Sequence, residues 1–254
     1  MNRRQFGKAG LAGVVGASLT QGAQAAGAVS YYELRTYELR NDLDVGATRT
    51  LFKENLLPVL KAQADGPIGC FNIVSGQDSP ALVVLIPYSD LSKVQANTDL
   101  AASSAHQERW KAFESVDLPY IRMRSSVMKA FAGHPKIEVP EGIDGGHLFE
   151  LRCYEAKNGV KSAAKIDMFN QEEIKIFRDC GMKLVFFGEG LFGDRLPHLT
   201  YMVAFKDMAD RTQAWAKFGA NPDWNRIKND PRWLDTVSVI HASFLSSTDF
   251  SEIR

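Results

Sequence analysis

The sequence predicts an α+β fold made of two ferredoxin-like (βαββαβ) units on one chain. Three observations lead there. Residues 32–90 return as residues 149–207 in unbroken register. Each copy reads as the same order of strands and helices. The composition, 45% hydrophobic and 24% charged, is that of a soluble chain able to bury a core. With 30 basic and 30 acidic residues the formal net charge is zero, which argues against a nucleic-acid binder. No apolar run in the body of the chain has the length needed to span a bilayer.

The first 28 residues differ in kind. Arg3 and Arg4 precede Phe6 and Lys8, and the first acidic residue is Glu33. A mildly apolar stretch, Gly10 to Leu19, leads to Ala23-Gln24-Ala25, with Ala26-Gly27-Ala28 as a second small-residue site. This is the layout of a cleavable secretion signal. The run Arg3-Arg4-Gln5-Phe6-Gly7-Lys8 closely resembles the twin-arginine motif, with Gly7 where Leu is commoner. The expected location is therefore periplasmic or secreted, by the route that exports folded proteins. Removing the signal takes away three basic groups and no acidic one, so the mature chain is slightly acidic. Cys70, Cys153 and Cys180 show no paired spacing and read as free, mostly buried small hydrophobes.

The duplication opens on Tyr32-Glu33-Leu34-Arg35-Thr36-Tyr37-Glu38, which returns as Phe149-Glu150-Leu151-Arg152-Cys153-Tyr154-Glu155, an offset of 117. The same offset pairs Asn41 with Asn158, Phe52 with Phe169, Gly76 with Gly193, Pro80 with Pro197 and Asp90 with Asp207. It is too long for a solenoid repeat, so each copy is expected to be a small domain.

Taken in order, each copy starts with an alternating, aromatic-rich strand (32–39; 148–155). An amphipathic helix follows, with Phe52, Leu56 and Val59 on one stripe and Ile166, Phe169 and Phe177 in the second copy. Pro58 is expected to bend the first of these. A second strand (69–75; 182–188) runs into the turns Gly76 to Pro80 and Gly193 to Pro197. Third strands are the apolar runs Leu82 to Ile86 and Leu199 to Val203. Asp90 and Asp207 stand where a helix N-cap is needed, ahead of a second helix. A last strand (120–128; 236–245) closes each copy. The expected boundaries are a signal over 1–28, a first unit over 29–131, a linker over 132–146 rich in Gly and Pro, a second unit over 147–247 and a tail over 248–254.

The two opening motifs, together with the late Asn221-Pro222-Asp223-Trp224, resemble the NIPSNAP family, a branch of the dimeric α/β-barrel superfamily. The resemblance covers nearly all of the mature chain. The first copy departs from it, with Gln107-Glu108-Arg109-Trp110 where the second has the Asn-Pro-Asp-Trp run. The resemblance implies two ferredoxin-like units whose sheets face each other and close into an α/β barrel, here within one chain. It brings no settled biochemical activity.

In such a barrel one sheet face packs on helices and the other lines the lumen, and strand alternation assigns side chains to faces. Tyr32, Leu34 and Thr36, with Phe149, Leu151 and Cys153, form one set and are expected against the helices. Glu33, Arg35 and Tyr37, with Glu150, Arg152 and Tyr154, are then expected to line the barrel. Lining the lumen, they would orient a small polar or aromatic ligand. The same groups equally suit salt bridges that fix the sheets, the commoner fate of buried charge. His241, on the last strand of copy two, joins the barrel-lining candidates. It suits acid–base work or haem ligation, or is a hydrogen-bonded core residue. His106, His134, His147 and His198 show no metal spacing. Trp110, Trp215, Trp224 and Trp233 read as core or interface residues. No cofactor or metal site and no nucleotide-binding loop is expected.

Three functions stay open. The chain is a periplasmic binder of a small molecule in the barrel cavity, a cofactor-free oxygenase or isomerase, or an interaction module with a filled barrel. A small-molecule ligand and a homo-oligomer are the partners left open.

Overall fold

A computed structural model describes residues 30–40, 45–98, 111, 120–141 and 147–254. Residues 1–28, expected to be a secretion signal, Asn41, His106, the Gln107 to Trp110 run and residues 142–146 of the expected linker lie outside the described residues.

The first half contains strand β1 (Tyr31–Glu38), helix α1 over 45–61, β2 (Gly69–Ser75), β3 (Ala81–Tyr88), helix α2 (Leu91–Thr98) and β4 (Arg122–Ala130). The second half contains β5 (Leu148–Glu155), helix α3 over 159–179, β6 (Lys183–Phe192), β7 (His198–Phe205), α4 (Met208–Ala220), the short α5 (Pro222–Ile227) and β8 (Val239–Ser247). The order in each half is the expected one. Asp207 accepts a bond from the Asp210 amide at 2.8 Å and Asp90 one from the Ser92 amide at 2.7 Å, as a capping role requires.

The eight strands close into an antiparallel barrel in the order β1-β3-β2-β8-β5-β7-β6-β4. Within each half, β1 and β5 are flanked on both sides along their whole length. Two seams join the halves, β2 with β8 and β4 with β6, and each has an irregular register. The 117-residue offset runs to the end of both units: Arg122 faces Glu38 as Val239 faces Glu155.

The first helix of each half contains a π turn at matching positions, Phe52–Leu56 and Phe169–Glu173. Pro58 stands just after the first, but Lys175 occupies its place in the second. The turn therefore does not need the proline. It lets Phe52 and Phe169 stay buried on the sheet.

Three cores result. Two lie between sheet and helices, one around Tyr37, Phe52 and Leu60, the other around Phe169, Phe177 and Phe218. The third fills the lumen with Tyr32, Phe71, Met128, Phe149, Phe186 and Met202. Edge contacts tie it across the halves: Tyr32 with Phe186 at 5.4 Å and Phe71 with Phe149 at 4.9 Å between ring centres. Each such side chain contributes about 1.5–3 kcal/mol by leaving water.

Residues 132–141 of the expected linker pack against the barrel, next to the end of the first unit. Phe131 is buried, the His134 ring lies 3.2 Å from the Val185 carbonyl, and the Glu138 amide donates to that same oxygen at 2.9 Å. The tail after β8 is also structural. It runs along β2 through bonds from the Thr248 amide to the Cys70 carbonyl and from the Glu252 amide to the Ile68 carbonyl. Phe250 enters the helix-side core of the first half, and Ile253 enters the lumen core. All three cysteines are free. Among the described residues no helix is long and apolar enough to cross a membrane.

Because Ile253 is fully buried, Ile253→Ala is expected to lower the unfolding free energy by about 2–5 kcal/mol. Chemical denaturation measures this. An unchanged midpoint contradicts the tail's place in the lumen core.

Candidate functional site

The strand alternation is as expected, but the faces are reversed. Glu33, Arg35 and Tyr37, with Glu150, Arg152 and Tyr154, point to the helix side and do not line the barrel. Glu33 accepts bonds from Arg35 Nε and Nη2 at 2.7 and 2.9 Å, from the Tyr88 hydroxyl at 2.9 Å and from Ser125 Oγ at 2.7 Å. Tyr37 meets Phe52 of α1 edge-on at 4.8 Å.

In the second half, Glu150 is fully buried and accepts from Arg152 Nη1 at 2.6 Å, from Arg211 Nε at 2.9 Å and from Trp215 Nε1 at 2.9 Å. Burial pushes its pKa up, but the bonds from Arg211, Trp215 and Arg152 outweigh that and hold it below the ordinary carboxylate value. The Tyr154 hydroxyl takes a bond from Arg152 Nε at 3.2 Å and shares another with Tyr201 at 2.8 Å. The physical reason for the reversal is the supply of partners. Helix α4 reaches down with Arg211 and Trp215, while the described lumen core is built of hydrophobic side chains such as Phe149, Phe186 and Met202.

The opposite set reaches the lumen. At the end of the barrel where β1 and β5 finish, a cavity of about 110 Å³ remains open. Its floor is apolar, with Leu34, Ile73, Val83, Leu151 and Leu245. Thr36, Ser126, Cys153, Thr200 and Ser243 form a ring of small polar walls above it. The rim carries Gln77, Asp78, Arg124, Asp194, Arg195, His198 and His241. Of the seven sequence-derived candidates, His241 alone lies here.

The rim is pseudo-symmetric in place and asymmetric in chemistry. Glu38 receives Arg124 Nε at 3.0 Å; at the equivalent point Glu155 Oε1 lies 2.6 Å from His241 Nε2. Ala81 and Val83 of the first half correspond to His198 and Thr200 of the second. His198 Nδ1 lies 3.1 Å from Thr200 Oγ1. Its ring rests on Gly190: a Cβ there would come within 2.5 Å of His198 Nε2. Burial of Cys153 raises its pKa, with Thr200 and Arg195 acting in the opposite direction, so the thiol stays protonated.

Two hairpin tips meet over this mouth. Arg195 Nη2 donates to Gln77 Oε1 at 2.8 Å across the two tips, and Arg124 bonds Asp78 of one while lying 3.8 Å from Asp194 of the other. Asp78 and Arg195 both sit in the left-handed region, at φ 67° and 64°, after Gly76 and Gly193 at φ 145° and 124°. A porphyrin does not fit. The space is well below the roughly 300–1,000 Å³ of pockets for larger ligands, and His241 Nε2 is already bonded to Glu155.

The NIPSNAP family model matches residues 32–133 and again 149–252. The chain belongs to the NIPSNAP family. No curated protein matches the sequence. Among solved structures, a protein from Lactobacillus acidophilus NCFM provisionally described as a monooxygenase superposes with a TM-score of 0.57 at 10% identity, over 86% of this chain and 94% of that one. A variant of chlorite dismutase from Candidatus Nitrospira defluvii superposes with a TM-score of 0.50 at 10% identity, over 90% and 94%. A NIPSNAP family protein of unknown function from Agrobacterium tumefaciens strain C58 is 23% identical over 45% of this chain and 100% of its own, with a TM-score of 0.40. At these identities the likeness concerns the fold.

This NIPSNAP chain thus keeps its family motif for packing and builds its mouth from other positions. Sequence reasoning gave no site role to His198, Cys153, Thr200 or Arg195. The signal that finds them is the repeat itself: Arg124 against His241, Thr36 against Cys153 and Asp78 against Arg195 are matched places with unmatched chemistry.

Two outcomes are expected. Arg35→Met leaves the Glu33 carboxylate buried without its cation, costing about 3–5 kcal/mol by chemical denaturation; a variant as stable as the parent contradicts the ionic reading. The second concerns acid. Burial holds the pKa of His198, and likewise of His134, below the ordinary 6.5. The unfolded chain then takes up protons that the folded chain refuses. This contribution to stability is full above pH 6.5 and is lost as pH falls through the folded value. Thermal melts should show a falling Tm from about pH 7.5 to about pH 5.5, with a smaller fall in His198→Gln. An equal fall in both proteins contradicts the assignment to His198.

Proposed function

We propose that this NIPSNAP chain is exported and holds one small polar or aromatic molecule at the mouth of a barrel formed by its own two ferredoxin-like units. In this reading residues 1–28 are a twin-arginine signal and are removed. The observation that supports binding most directly is the division of the lumen. Its far half is packed solid by aromatic side chains and Ile253, while its mouth half leaves about 110 Å³ between an apolar floor and a polar rim. A dry cavity of about 150 Å³ holds benzene; this space is smaller but opens at the mouth, so it suits a short branched chain, or a single ring whose polar substituents stand out at the rim.

One observation favours a second reading, acid–base catalysis of the oxygenase or isomerase kind without a cofactor. A histidine bonded to a carboxylate, His241 with Glu155, stands on the wall of this cavity beside a second, buried histidine. The filled far half suits the interaction-module reading, but that reading gives no account of the polar rim.

Native mass spectrometry of protein recovered from the periplasm tests the proposal. The expected result is a processed chain carrying a non-covalent adduct, with the adduct lost in Leu151→Trp, which fills the floor. An unprocessed chain confined to the cytoplasm contradicts export. A processed chain without adduct in both proteins contradicts ligand binding.

A further inference from the structure

The mouth holds one base and one uncommitted cation, and together they select a class of ligand. Strand register sets Cys153 opposite His241 on one side and opposite Thr200 on the other. His241 Nε2 is tied to Glu155 Oε1 at 2.6 Å. A carboxylate acceptor keeps the hydrogen on Nε2 and leaves Nδ1 with a free lone pair. Nδ1 is therefore the basic atom this wall offers.

The two arginines of the rim differ in what surrounds them. Arg124 is taken up by Glu38 and Asp78, with Asp194 at 3.8 Å. Arg195 donates to the neutral Gln77, and it forms no ion pair among the described residues. Its charge stands over the same cavity as His241. The other ionisable groups of the mouth do not compete for either role. Asp78, Asp194 and Glu38 gather round Arg124, Glu155 is held by His241, burial keeps the Cys153 thiol protonated, and burial also makes His198, whose Nδ1 lies 3.1 Å from Thr200 Oγ1, the weaker base.

Resting on the small-ligand reading above, we infer that the ligand is a weak acid whose charge lands on oxygen, a phenol or an enolisable carbonyl compound, with His241 as the base and Arg195 as the partner of the oxyanion. In the step, the ligand's O–H bond, or the C–H bond next to its carbonyl, breaks as an N–H bond forms on His241 Nδ1. The electron pair stays on the ligand and rests on oxygen beside the Arg195 guanidinium. The ligand's body lies on Leu34, Leu151 and Leu245. No oxidant or reductant enters the step.

4-Nitrophenol is a suitable probe, because its anion absorbs in the visible and its neutral form does not. Calorimetry reads binding and absorbance reads ionisation, on the full mature chain. Bound probe is expected to ionise about tenfold or more readily than free probe, as an adjacent cation and base require. His241→Asn and Arg195→Gln are each expected to remove that shift while binding persists, and Arg195→Lys to keep most of it. Near-ultraviolet circular dichroism confirms that each variant folds. A probe that binds without a shift, or a shift that survives both variants, overturns this inference and leaves the small-ligand reading standing. A probe that does not bind at all also overturns this inference, and the adduct read by native mass spectrometry decides the small-ligand reading separately.

Discussion

A closed barrel of antiparallel strands gives each inward or outward side chain one of two destinations. The lumen is bounded by the inward side chains of the other strands, so a charge sent to mid-depth meets few groups long enough to pair with it. The layer beneath the helices is different, because helix residues reach down into it. Arg211 and Trp215 both bond Glu150 from α4, and Asn97 of α2 donates to the Tyr88 hydroxyl that in turn bonds Glu33. An unpaired buried carboxylate costs several kcal/mol, so the Glu-Arg pairs of β1 and β5 settle where these donors are. That placement fixes the parity of both strands. It sends Tyr32 and Phe149 to the lumen core and brings Thr36 and Cys153 to the mouth.

The duplication, the element order and the alternation were all legible in the sequence, because each is a matter of spacing. Which face looks inward was not. The apolar set Tyr32-Leu34-Thr36 suits a helix interface as well as it suits a dry lumen, and the choice rests on donors from a helix some sixty residues away in sequence. The first helix gives a smaller case of the same kind. Pro58 looked like the cause of a bend, yet the matching π turn forms around Phe169 without a proline. The cause is the shared demand to keep an aromatic side chain seated on the sheet.

His198 reads in the sequence as a loop histidine without metal spacing, because it follows Pro197 in a run that reads as a turn. The strand starts at the histidine itself, and the flat seat on Gly190 that admits its ring belongs to a neighbouring strand. Cys153 read as a small core hydrophobe and instead faces the polar mouth. The helix layer has diverged in the same manner as the rim. Lys165 and Glu173 form a buried ion pair at 2.6 Å in the second half, where the first half has Thr48 and Leu56. Burial pushes the Glu173 pKa up, and Lys165 beside it works against that rise. Positions shared by both copies, such as the Glu-Arg pairs, serve the fold. Positions that differ while keeping their place give the two halves unlike chemistry.

Carrying both units on one chain is what permits that separation. In a barrel made from two identical subunits, every rim residue appears twice across the axis. A cation such as Arg124 would face its own copy, and a His-Glu pair would face another. Here Glu38 and Glu155 keep the same place but hold a guanidinium on one side and an imidazole on the other. The hairpin tips show the same division. Asp78 and Arg195 share a backbone conformation, yet one neutralises Arg124 and the other keeps its charge for the mouth. With the tail packed into the far end of the lumen, the cavity at the mouth lies between unlike walls: apolar surface below, the His241–Glu155 pair on one side and the Arg195 guanidinium above.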